Sequence, residues 1–356
     1  PQRLRRRDGT QPRTRMTLSP HPFNLNGKAE TNFKYLFEAR KWPDDSMPGE
    51  ESVTGRNSMG HALEAATTGH RPSEAATNED LKHSKEQARL FTSLVESVAQ
   101  DPERLRGHEY LSDSFANISA EYMPDLQTSL DSDIKYGDRL YPTTGARAQI
   151  DAYDAARFLH ALSRNKEGYD RLNVAQHVYA AALMEAQVKN PGAYPQSTDD
   201  TIDQIAYDTG LFQGVIGGGQ HFQAAGDTAD AATREDAWKE PASTWGGSLV
   251  GSAAAIATAS FTGPGGVVVG GLVGTAAGEV FSGLLDGFGG DDGKQKEQVY
   301  RNVKRLDHIQ HSAILTTQES VQAATGDEAA ASRAGARAGD GFNSANDLID
   351  YSGAAQ

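Results

Sequence analysis

The chain has 356 residues, 37% hydrophobic and 23% charged, with a formal net charge of -14. That size and balance exclude wholesale disorder and call for a buried core in one large or two ordinary domains. The acidic balance speaks against a nucleic-acid partner for the chain as a whole, since phosphate binding draws on clustered Lys and Arg, and the lack of cysteine removes disulfides, thiol nucleophiles and Cys-ligated zinc.

Residues 1–28 open with "PQRLRRRDGTQPRTR", which is basic, Pro-containing and without apolar periodicity, and so predict a flexible tail. After Arg15, "MTLSPHPFNLNGKAE" lacks the apolar core of a cleaved secretory signal. The expected location is therefore the cytoplasm, or outside the cell by a route without such a signal. Residues 29–240 predict a helical scaffold. "SMGHALEAATTG" sets Met59, Leu63 and Ala66 on one face, with Gly69 as a stop. The strongest amphipathic pattern follows, with Leu81, Ala88, Phe91, Leu94, Val95 and Val98 at helical intervals between an Asn78/Asp80 start and an Asp101-Pro102 end. "HEYLSDSFANISAEYMPDLQTSL" continues in the same style and is interrupted at Pro124.

Two further helices meet near Asn165 to Gly168. Ile150, Tyr153, Phe158, Leu159 and Leu162 form one stripe, and Leu172, Ala175, Val178, Tyr179, Ala182 and Leu183 the next, ended by Pro191-Gly192. Another helix is predicted from about Asp199 to Ala237. Its Gly210, Gly214 and Gly218 suggest a close helix crossing with the apolar stretch that follows.

Residues 241–290 form that stretch. No charge falls between Glu240 and Glu279, and Pro264-Gly265 divides it into two arms of small residues at four-residue spacing. Gly247, Gly251 and Ala255 mark the first arm; Gly266, Gly270, Gly274 and Gly278 mark the second. Small residues at that interval let helix backbones approach closely, which predicts a glycine-zipper hairpin. Each arm approaches the roughly 20 residues that span a bilayer core. Interior glycine costs a helix about 1 kcal/mol relative to Ala, so the arms need close packing to be ordered. For the second arm, apolar residues contribute about -4 kcal/mol to insertion, against about +3 for one carboxylate near the centre.

Glu279 is the charge that restrains insertion, and acidic flanks (Glu235, Asp236 and Glu240 before, Asp291 and Asp292 after) disfavour a permanent two-pass anchor. Conditional membrane insertion, with acid as a trigger, leads the readings. A soluble structural or interaction protein, using the hairpin as buried core or oligomerisation surface, is the competing one. The partners expected are thus a membrane, a protein or a second copy. An Ala-rich helix over 291–330 packing back on the scaffold and a frayed or short-helix tail over 331–356 complete the expectation. Alternating β-branched runs are almost lacking, so the fold class is all-α: a multi-helix scaffold with a central Gly-rich apolar helical hairpin.

No catalytic constellation stands out, and no cofactor is called for. His308 and His311 with Asp307 lack a third ligand placed by the sequence, and "DGFGGDDGKQKE" lacks the alternating carboxylates of a calcium loop. "VIGGGQ" lacks the Gly-Lys-Ser/Thr that completes a phosphate cradle.

The stretches "SMGHALEAATTGH", "HSKEQARLFTSLVESVA" and "FANISAEYMPDLQTSL" resemble blocks of large actinobacterial proteins of unknown function. Those proteins carry helical, WXG-like N-terminal regions and are associated with type VII-like export or polymorphic toxin systems. The resemblance covers about residues 55–190. It implies a non-enzymatic helical module, effector-like or translocation-related, and no catalytic residue to carry over. Trp245-Gly246-Gly247 satisfies Trp-x-Gly but opens the apolar stretch, and Tyr351 is followed four residues later by Ala355 where the export signal has Asp or Glu.

Overall fold

The computed structural model describes residues 22–25, 28–40, 55–72, 74, 76, 80–106, 108–131, 140–141, 143–192, 196–226 and 306–352. The described chain is an all-α, multi-helix fold in two units, residues 1–40 and 41–356. In the first unit, strands β1 (Pro22–Leu25) and β2 (Lys28–Thr31) pair antiparallel, with Leu25 opposite Lys28. That register leaves Asn26-Gly27 between the strands, the dipeptide that most favours a two-residue hairpin connection. Within the tail predicted over 1–28, Pro22–Leu25 and Lys28 belong instead to this β-ribbon, and residues 1–21 lie outside the described residues. Helix α1 (Asn32–Lys34) follows and runs into a π-helical turn, Tyr35–Ala39, where Phe33 and Phe37 stack at 5.4 Å.

The second unit begins with α2 (Gly55–Thr68), α3 (Lys85–Gln100), the short α4 (Glu103–Arg106), α5 (Ser112–Glu121) and α6 (Met123–Leu130). Gly69, at φ +91°, ends α2 as the sequence suggests. Helix α3 starts later than the Asn78/Asp80 signal. Ser84 accepts from the Gln87 amide while the Gln87 side chain accepts from the Ser84 amide, a reciprocal cap that satisfies two end donors. Leu81 is buried ahead of the helix, and Phe91, Leu94, Val95 and Val98 are fully buried within it. Each such side chain contributes about 1.5–3 kcal/mol by leaving water. Pro124 sits in the first turn of α6, where its missing amide proton costs nothing.

Helices α7 (Ala152–Leu162) and α8 (Lys166–Lys189) are capped by Asp151 and Asn165. Tyr153 is exposed, so the α7 stripe narrows to Phe158, Leu159 and Leu162; α8 is buried on almost every face. Rings from three segments form the core: Tyr122 lies 4.2 Å from Phe91, which meets Phe158 edge-on at 6.2 Å.

Helices α9 (Thr198–Gly226), α10 (Leu306–Thr325) and α11 (Glu328–Ser352) complete the unit. Of residues 331–356, read as a frayed or short-helix tail, those up to Ser352 lie in the 25-residue α11, which buries Ala334, Ala338, Phe342, Ala345 and Ile349. Its low apolar content is sufficient because it packs backbone to backbone. A Cβ on Gly210 would strike the Ala338 carbonyl, one on Gly341 the Tyr207 carbonyl, and one on Gly214 would lie 2.7 Å from the Phe342 oxygen. Gly210, Gly214 and Gly218 do make a close crossing, but with α11; the crossing foreseen with the apolar stretch lies outside the described residues. Arg333 fixes the register by donating from Nε to both Asp203 oxygens at 2.9 and 3.0 Å.

Gly341→Ala is expected to lower unfolding stability by about 2–3 kcal/mol, because two backbones must separate. Gly192, with nothing within 4 Å of a built Cβ, serves as the control. Gly192→Ala should stay within about 0.5 kcal/mol in the same urea titration.

Candidate functional site

The contact order along α9, α10 and α11 fixes their directions. Asp203 meets Arg333, Gly210 meets Ala338 and Gly218 meets Ile349, so α9 and α11 run parallel. Gln310 donates to Asn343 at 2.8 Å and Gly339 faces Ile314, so α10 runs antiparallel to both. Gly217 near the C-terminus of α9 faces Ile309 near the N-terminus of α10, 3.0 Å from a built Cβ. The chain therefore leaves this three-helix group after Gly226 and returns at Leu306 by the same end.

Gly247, Gly251, Ala255, Gly266, Gly270, Gly274, Gly278 and Glu279 lie outside the described residues, as does the predicted hairpin 241–290. What is described is the base from which that segment departs. At this base His160 of α7 is buried, its ring 5.8 Å from Phe222. The Arg164 guanidinium stands 4.2 Å over the Phe222 ring and bonds Glu103 at 3.2 Å. Burial and the Arg164 charge hold the His160 imidazole down at about 3, so it is neutral at physiological pH.

A second buried cluster joins the α2–α3 connection to the end of α5. His70 Nδ1 donates to the Arg71 carbonyl at 2.9 Å, and Nε2 lies 2.6 Å from Glu121 Oε1. His83 Nε2 lies 3.5 Å from the other Glu121 oxygen, and its ring stacks on Tyr122 at 4.2 Å. Burial works against charge on His70, but the Glu121 hydrogen bond and charge, the Arg71 carbonyl and the Asp80 charge outweigh it and raise the imidazole to about 9. His70 is thus a cation at neutral pH, a clamp rather than a base. On α10, His308 and His311 are exposed, and the described residues hold no group of three or more His, Cys, Asp or Glu arranged for a metal ion.

Sequence spacing did not single out His70, His83, Glu121 or His160. His70 and Glu121 stand 51 residues apart and meet only through tertiary packing. Comparison with protein-family models, with curated proteins and with solved structures finds no match for the chain.

The raised His70 value fixes the sign of a pH effect. The clamp's stabilisation is complete below 6.5, the ordinary imidazole value, and is lost as pH rises through about 9. In urea titrations at neutral and alkaline pH, wild type should lose about 2–3 kcal/mol more than His70→Gln over that window.

Proposed function

We propose that the protein is a non-enzymatic helical module that carries its apolar, glycine-spaced segment as an arm for conditional insertion in a membrane. The role is effector-like or translocation-related, as the resemblance to the actinobacterial proteins of type VII-like systems implies. One observation supports this reading above others: Gly217 of α9 packs beside Ile309 of α10, so residues 227–305 depart and return at one end of the three-helix group. A two-armed hairpin needs that arrangement of its ends. Among the described residues no helix is long and apolar enough to cross a membrane, so insertion rests on the two arms of 241–290.

A second reading has its own support. Gly210, Gly214 and Gly218 use the same four-residue interval to seat α9 against α11, a contact within protein. By that measure the two arms form a buried core or an oligomerisation surface.

Liposome flotation separates the readings. The intact chain is expected to float at mildly acidic pH and less at neutral pH, and a chain lacking residues 245–285 should stay at the bottom of the gradient. If neither floats while the deletion unfolds or loses its oligomeric state, the membrane reading is overturned. Gly270→Leu should abolish flotation under the first reading, and lower thermal stability or oligomer size under the second.

A further inference from the structure

Where α9 leads into residues 227–305, its last described turns rest on the C-terminal end of α7. The approach is close. A Cβ on Gly219 would strike the His160 carbonyl and the Ser163 hydroxyl, and one on Gly218 would lie 3.5 Å from the His160 ring. His160 is 1% exposed, and its Nδ1 has no hydrogen-bond partner. A neutral imidazole is tolerated in such a place at modest cost. An imidazolium is not, because a buried charge needs an acceptor or a counter-ion.

We propose that His160 is an acid-sensitive latch, whose protonation parts the last turns of α9 from α7 at the base of the apolar segment. The groups facing the ring give the added proton no counter-charge. Beyond α7 stands Arg164, a cation, itself held by Glu103 of α4 with Arg106 nearby. From α9 come Gly218, Gly219 and Phe222, all uncharged, with His221 exposed beside them. From α11 comes Ile349, 2.7 Å from a built Gly218 Cβ; its neighbours Asp347 and Asp350 are exposed. Movement of the α9 end toward water relieves the charge and leaves the rest of the bundle in place.

The direction follows from linkage. The closed state holds His160 at about 3, by burial first and then by the Arg164 charge, whereas a hydrated imidazole titrates near its ordinary 6.5. The closed state therefore loses stability as pH falls through 6.5. Opening is favoured about tenfold per pH unit below that, or about thirtyfold at pH 5. That this opening frees residues 227–305 for a membrane rests on the function proposed above; the opening itself does not.

Amide hydrogen exchange on the intact chain, corrected for the pH dependence of intrinsic exchange, tests the latch. Between neutral pH and about pH 5, peptides within 211–222 should lose protection about thirtyfold, while peptides of α3, α5 and α8 keep theirs. His160→Phe, which keeps a ring but cannot be protonated, should abolish the loss. His160→Gln applies the same criterion if the Phe variant fails to fold. Equal loss in variant and wild type, no loss in wild type, or loss spread evenly over α3, α5 and α8 overturns the proposal; α8 carries His177, a second buried neutral imidazole held at about 4. Flotation of the same samples keeps the two ideas apart. An α9 end that opens without flotation supports the latch and removes the membrane reading, whereas flotation without opening removes the latch.

Discussion

The α9–α11 half of the helical unit depends on a backbone-to-backbone contact. Glycine on each side, Gly210 and Gly214 on one helix and Gly341 on the other, lets main-chain atoms meet where a methyl group would not fit. At that separation many weak dispersion contacts replace a few large side chains. The chain can thus order α11, a helix rich in Ala, Gly and charge that would be marginal alone. The cost is intrinsic helicity, which interior glycine lowers, so these helices are stable only together.

The interior also holds hydrogen-bonded polar and charged groups. Arg171 is buried, donating to Asn117 and Glu167, while Asn117 donates to Glu64; the chain of bonds ties α2, α5 and α8 together. Tyr141 donates to the fully buried Asp208 at 2.6 Å, whose carboxyl burial raises well above the ordinary range. Gln176 accepts from Gln213 in the same region, between α8 and α9. Such groups stabilise one arrangement over its competitors more than they stabilise folding itself, since each was desolvated first. The histidines divide by their partners. His70 faces a carboxylate and is charged, whereas burial keeps His160 and His177 neutral, with the Arg164 charge adding to it at His160. Alkali therefore loosens one part of the unit and acid another.

The topology makes that division meaningful. Parallel α9 and α11, with α10 antiparallel beside them, bring both ends of residues 227–305 to one end of the group, and the neutral His160 lies at that end. An apolar segment attached there has its two roots near a group whose charge changes the local packing. The His70 clamp sits elsewhere, between the α2–α3 connection and α5, and holds the remainder through the same acid range.

Helix content was legible wherever large apolar residues recur, because periodic burial is a local property of the chain. Phe91, Leu94, Val95 and Val98 declared α3, and Leu172, Val178 and Leu183 declared α8. Three features escaped. The start of α3 moved to Ser84, whose reciprocal cap with Gln87 outcompeted the Asn78/Asp80 signal. The register of β1 and β2 showed only as Asn26-Gly27, a pair whose hairpin preference acts without long alternating strands. Helix α11 carries few bulky side chains, Phe342 and Ile349 among them, and its order comes from a surface supplied largely by α9. The glycine spacing of α9 announced a close crossing and pointed to the apolar stretch, whereas the partner these glycines meet is α11. By itself the sequence determined the all-α class, most helices and the apolar, glycine-spaced segment, because these follow from residue type and near neighbours. Only the tertiary structure decided that α11 meets α9, that His70 meets Glu121 and that His160 lies beneath the end of α9, because charge and contact there are set by residues distant in the chain.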